Sequence, residues 1–165
     1  MWHHKSGNEI VMSLLIKTIL ALGIVVVVIQ FMQPARNKSS HLLPTDFTKV
    51  YVVPINIQSV LQNACYDCHS NNTAYPWYAN FQPMAWLMAS HIKNGKEKLN
   101  FSNFASYTSR RQISKLKGIA NQIKDDEMPI SSYKMMHNNA RLSKEQKDLI
   151  MGWMNKTADS LSSSN

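Results

Sequence analysis

At 165 residues the chain has room for one domain of ordinary size and an appendage. Its formal charge of +8, from 18 Lys and Arg against 10 Asp and Glu, favours anionic partners. No DNA- or RNA-binding motif accompanies that charge, so nucleic acid is not an expected ligand.

In chain order, the first element is "MSLLIKTILALGIVVVVIQFM", Met12 to Met32, with Lys17 as its only charge. Roughly 20 apolar residues cross a hydrocarbon core as a helix, so residues 1–33 read as an N-terminal membrane anchor. A cleavable signal is the rival. The apolar block from Thr18 to Met32 is longer than a usual signal core, and only a weak cleavage site, at Ala35, follows it. A buried helix of a soluble domain needs a polar face, which "VVVV" does not provide. Lys17 can extend its stem to the interface. Lys5 and Lys17 lie on one side of the span, Arg36 and Lys38 on the other, so the positive-inside rule does not orient it. Met12 is a second candidate start.

Residues 34–47 read as a linker, since "QPARNKSSHLLPTDF" is polar and punctuated by proline. "VYVV" before Pro54 is the only β-like run, and one strand makes no sheet. Four helices follow. The first carries Ile55, Val60, Leu61 and Ala64 and ends near "CYDCH". The second is "PMAWLMASHIKNGK", with Pro83 in the first turn. The third is "TSRRQISKLKGIANQIKDDE", with Ile113, Leu116, Ile119, Ala120 and Ile123 on one face and a Ser109–Gln112 capping box. The fourth is "LSKEQKDLIMGWM", with a Ser143–Gln146 box and a stripe of Leu149, Ile150 and Trp153. The part beyond the anchor is therefore expected to be all-α, small and loop-rich.

Both cysteines fall in "ACYDCHSNNTAYPWY", three apart, with His69 directly after the second. Three chemistries use such a stretch. A redox dithiol needs C-x-x-C at the head of a helix in a βαβ setting, which this chain lacks. Structural zinc needs four ligands: Cys65, Cys68 and His69 with His91 or His137 would serve, but no second paired half-site exists. Covalent haem uses every residue: Cys65 and Cys68 form thioethers, and His69 sits under the iron as proximal ligand. A sixth ligand is then wanted. Met128 precedes Pro129 in the loop "DDEMPISSY", whereas Met84, Met88, Met151 and Met154 sit at helical spacing and read as packing residues. His91, in an amphipathic helix, and His137, in a polar loop, are the alternative distal ligands.

In the order "CYDCHSNNTAYPWY", "PMAWLMASHIKNGKEKLNFSNF", "EMPISSYKMMH" and "LSKEQKDLIMGW", the sequence resembles the haem-binding-domain family of small membrane-anchored bacterial c-type cytochromes, over about residues 42–155. Residues 48–157 are expected to form a small cytochrome c-like helical domain, and residues 158–165, a short Ser-rich stretch, a flexible tail. The resemblance implies one covalent haem c on Cys65 and Cys68, with His69 as proximal iron ligand and Met128 as its best-matching distal position. Tyr75, Trp77 and Tyr78 would then line the edge of the haem pocket, or else form an ordinary aromatic corner. The cations Lys93, Lys96, Lys98, Arg110, Arg111, Lys115, Lys117 and Lys124 form either a solvated helix face or a docking surface for an acidic redox partner or anionic lipid.

The expected function is one-electron transfer, with the haem domain in the periplasm and the anchor in the inner membrane. Nothing resembles a paired acid–base apparatus, so an enzyme is not expected. An open iron site would instead serve a haem-based sensor or a peroxidase-like enzyme.

Overall fold

The computed structural model describes residues 7–39 and 41–164. Among them are eight α-helices, three short 3-10 segments and no strand, so the all-α expectation holds. The chain forms two compact units, Met1–Arg36 with Tyr75–Ser90, and Asn37–Ala74 with His91–Asn165.

In the first unit, α1 (Gly7–Gln30) is apolar on every face, and its large side chains are exposed from Ile10 to Val28. A helix that is apolar all round is stable only when something apolar covers it. Asn8–Gln30 is long and apolar enough to cross a membrane, and a signal sequence passes the same test of length and composition. The end of α1 is tied by side chains to the later part of the unit. Gln30 Oε1 accepts from the Gln82 backbone N–H at 2.9 Å, and Gln82 Nε2 donates to Met32 O at 2.8 Å. Trp86 Nε1 donates to the same carbonyl at 2.9 Å. A 3-10 segment at Trp77–Asn80 and the first half of α5 (Met84–Lys98) complete this unit. Pro83 stands just before α5 and accepts from Leu87 N, so it closes the helix entrance rather than occupying the first turn.

The second unit contains α2 (Phe47–Val50), α3 (Ile55–Ala64), α4 (Tyr66–His69), the second half of α5, α6 (Ser109–Lys124), α7 (Ser131–Met136) and α8 (Lys144–Ser163). Its core is built from Phe47, Ile57, Leu61, Phe101, Phe104, Leu116, Ile150 and Met154, with α6 packed along α8. The Phe47 ring meets Phe101, Phe104 and Trp153 edge-on at 5.3, 4.8 and 5.7 Å. Such pairs contribute about 0.5–1.5 kcal/mol each beyond the area they bury.

Several expectations change here. Phe47 is fully buried and opens α2, with Asp46 Oδ1 accepting from Thr48 N, so the end of the expected linker belongs to the core. The four expected helices are joined by short ones, including the 3-10 segments Phe101–Ser106 and Asn138–Ala140. The α6 box on Ser109 is not formed. Thr108, one residue earlier and extended, caps the helix, while the Gln112 amide donates to Tyr107 O. The Ser143–Gln146 box is formed at both of its bonds. α8 runs on to Ser163 with Ala158 fully buried, where the sequence suggested a flexible tail.

Candidate functional site

The site is built on a break between two helices. α3 ends at Ala64, Cys65 leaves helical geometry (φ −128°, ψ −42°), and α4 resumes at Tyr66. The Cys65 carbonyl accepts from both Cys68 N and His69 N, at 3.2 and 3.0 Å. One tight turn therefore fixes both cysteines and the histidine together. All three line a cavity of about 240 Å³ whose other walls include His91, Gly95, Met128 and Pro129. A second cavity, of about 490 Å³, shares Cys65, His69, Lys98, Met128 and Pro129 and extends along α6 past Gly118, Ile119 and Gln122. Volumes of about 300–1,000 Å³ are usual for cofactor sites.

His69 is held by two backbone carbonyls. Its Nδ1 lies 3.0 Å from Gly95 O and 3.1 Å from Leu99 O. A carbonyl only accepts, so Nδ1 carries the proton and Nε2 keeps the free electron pair. Burial lowers the imidazole pKa; the two carbonyl bonds oppose that, and the Lys98 charge adds to it. The ring therefore has a fixed tautomer and orientation, the arrangement that such hydrogen bonds give to histidines that bind metals.

Gly95 lets α5 lie directly on the turn. A Cβ at this position would meet the Cys68 carbonyl oxygen at 2.6 Å. Asp67, between the cysteines, joins the turn to two other segments. Its Oδ1 accepts from Ala74 N at 2.8 Å and its Oδ2 from the Tyr133 hydroxyl at 2.7 Å. Tyr133 also lines the smaller cavity, so Asp67 couples the cysteine turn to α7, just beyond Met128–Pro129.

Met128 is placed by the way α6 ends. Asp126 takes a left-handed backbone (φ 60°), which Asp tolerates better than most side chains. Asp126 N donates to Ile123 O and Glu127 N to Gln122 O, the Schellman pattern of a reversing helix end. Met128 N also donates to Gln122 O, at 3.1 Å. Lys147 Nζ holds the Asp126 carboxylate at 2.7 Å, with Lys134 at 3.7 Å. The chain turns here and delivers Met128 to the wall of both cavities.

The remaining residues separate clearly. His91 lines the smaller cavity with His69 and Met128. His137 lines neither cavity; it stacks on Tyr133 at 4.0 Å, with Nδ1 3.2 Å from Tyr133 O. Tyr75, Trp77 and Tyr78 belong to the first unit, where Arg36 lies 4.6 Å over the Tyr75 ring. Sequence reasoning missed Gly95, Asp67 and Tyr133, whose contacts are to residues far along the chain. The one available signal was an isolated glycine inside a helical pattern.

The donor set suits one chemistry better than its rivals. Burial raises the Cys65 thiol to about 12, with Cys68 adding to it, and burial raises the Cys68 thiol to about 11, with Asp67 adding to it. A redox dithiol works through a lowered pKa, so these thiols are tuned the other way. Among the described residues no three His, Cys, Asp or Glu side chains converge to hold a metal ion. Haem iron asks less of the protein, because the porphyrin fills four positions. An imidazole and a thioether on one cavity, beside two thiols, fit it.

A protein-family profile described as a haem-binding domain matches residues 24–156, most of the chain. The protein belongs to the haem-binding-domain family, and its cofactor is haem. No curated protein and no solved structure matches it.

Proposed function

We propose that this chain is a membrane-anchored monohaem c-type cytochrome that passes single electrons at the periplasmic face of a bacterial membrane. The observation that carries the reading is His69. Its Nδ1–H is committed to Gly95 O and Leu99 O, which leaves Nε2 as a donor beside Cys65, Cys68 and Met128. When bound, haem supplies an iron that cycles between two oxidation states. Cys65 and Cys68, both on the cavity wall, would hold it covalently through their sulfurs. His69 Nε2 would serve as the proximal iron ligand and Met128 Sδ as the distal one, a pairing that would raise the potential relative to two histidines.

Covalent haem attachment belongs to an oxidising, extracytoplasmic compartment, so the domain is assigned to the periplasm and α1 to the inner membrane as its anchor. Lys98 and Lys115 lie at the larger cavity and favour an acidic redox partner, whereas Lys96 is held by Asn37 at 2.6 Å and Lys117 by Asp159 at 3.3 Å. No enzymatic step is assigned.

His91 shares the cavity with Met128 and is the alternative distal ligand, whereas a sensor or peroxidase-like enzyme would need the sixth position open. Absorption spectra of the oxidised and reduced protein, with and without carbon monoxide, decide. The oxidised protein should show the weak far-red sulfur-to-iron band, and Met128→Ala should abolish it and open the iron to carbon monoxide. His91→Ala and His137→Ala should leave the band intact. No band in wild type, with opening by His91→Ala, makes the ligation bis-histidine. Ready carbon monoxide binding by the wild type favours the sensor or peroxidase.

A further inference from the structure

The aromatic cluster after the cysteine motif lies in the unit that contains α1, and much of it faces outward. Trp77 is 74% exposed, Phe81 56% and Phe31 84%, and Trp86 is also exposed. Trp77 and Phe81 meet edge-on at 6.3 Å. Exposed aromatic side chains gathered in one place mark a surface that something covers.

Their depth follows from hydrogen bonds. α1 has 24 residues and is about 36 Å long at 1.5 Å per residue. A hydrocarbon core is about 30 Å thick, so a helix of this length reaches the headgroup layer at its end. Gln30 closes α1, and Gln82 and Trp86 bond directly to Gln30 and Met32. Phe81 and Trp86 are therefore held at the level where the span leaves the apolar core. Trp and Tyr prefer that layer, with an apolar body in the acyl boundary and a polar tip in water. Arg36 sits at the same end, exposed, over Tyr75 and bonded to Asn80, as a cation suited to lipid phosphate.

We infer that Phe31, Trp77, Phe81 and Trp86 form a collar that inserts into the headgroup layer of the bilayer around the end of α1. The occupant of this surface is lipid, because the patch is continuous with a helix long and apolar enough to cross a membrane. The collar gives the anchor a second attachment to the membrane, through the segment 75–90. The inference rests on α1 remaining in the chain as an anchor.

The test uses the full-length holoprotein in nanodiscs of phosphatidylethanolamine and phosphatidylglycerol, doped with a phospholipid carrying a diazirine near its glycerol backbone. After illumination, mass spectrometry should find lipid adducts on Phe31 and within residues 75–87 as well as at the ends of α1. Trp77→Ser combined with Phe81→Ser should leave the haem absorption spectrum unchanged. Adducts on α1 but none on residues 75–87 overturn the collar and leave the anchor standing. Adducts on neither overturn both. A shifted haem spectrum in the double variant assigns the cluster to the haem pocket, and the collar is wrong.

Discussion

Gly95 has no side chain, and the cysteine turn needs it to have none. An added Cβ would lie 2.6 Å from Cys68 O, and the Gly95 carbonyl is itself an acceptor for His69. Neither backbone can yield without moving Cys68 or His69, the residues proposed to hold the haem. Gly95→Ala should lose about 1–3 kcal/mol of stability, the usual cost of overpacking a close contact. It should also lower the haem bound per polypeptide; urea denaturation and haem absorbance measure the two effects. Wild-type values for both would show that α5 does not press on the turn as described. At this scale the sequence was informative where chemistry depends on residue type and short spacing. Cys65, Cys68 and His69 are adjacent enough to be read together, and Pro129 singled out Met128 among ten methionines. Asp67 and Tyr133 were not legible, because their bond joins residues 66 positions apart and neither type is unusual alone. Trp77 follows the cysteines closely in sequence and belongs to the unit that contains α1.

Helices long enough to show a period could be read, and short ones could not. α6 and α8 each bury one stripe, through Leu116, Ala120 and Ile123 and through Ile150, Met154 and Ala158. That pattern repeats often enough in one chain segment to be seen. The 3-10 segment Phe101–Ser106 exists because Phe101 and Phe104 both enter the core around Phe47, a contact no local pattern announces. Caps lie between these cases. At α8 the sequence placed both partners correctly, while at α6 two adjacent hydroxyl residues competed and the extended Thr108 took the role. The two caps should differ in strength. Ser143 accepts from Gln146 N at 3.2 Å and its own N–H donates to the Gln146 side chain at 2.9 Å, whereas Thr108 accepts from Arg111 N at 3.4 Å and has no return bond of this kind. Ser143→Ala should lose about 1 kcal/mol and Thr108→Ala less, by urea denaturation. The far-red band should not change in either variant. The reverse order of losses would contradict the cap geometry.

The whole molecule combines an apolar helix long enough to cross a membrane with a helical haem-binding domain. A reporter fused after Asn165 should be active only in its periplasm-dependent form, and the protein should stay with membranes after a salt wash. Mature protein beginning near Arg36 in the soluble fraction would show instead that α1 is a removed signal. The central claim is that Cys65 and Cys68 hold the haem by covalent bonds while His69 binds its iron. It is tested most directly by expressing the chain with a c-type maturation system and separating it by denaturing electrophoresis with staining for haem. Wild type should keep its haem on the polypeptide, and Cys65→Ala with Cys68→Ala should lose it. Haem that leaves the denatured wild type, or a purified wild type that carries zinc and no haem, would contradict the account.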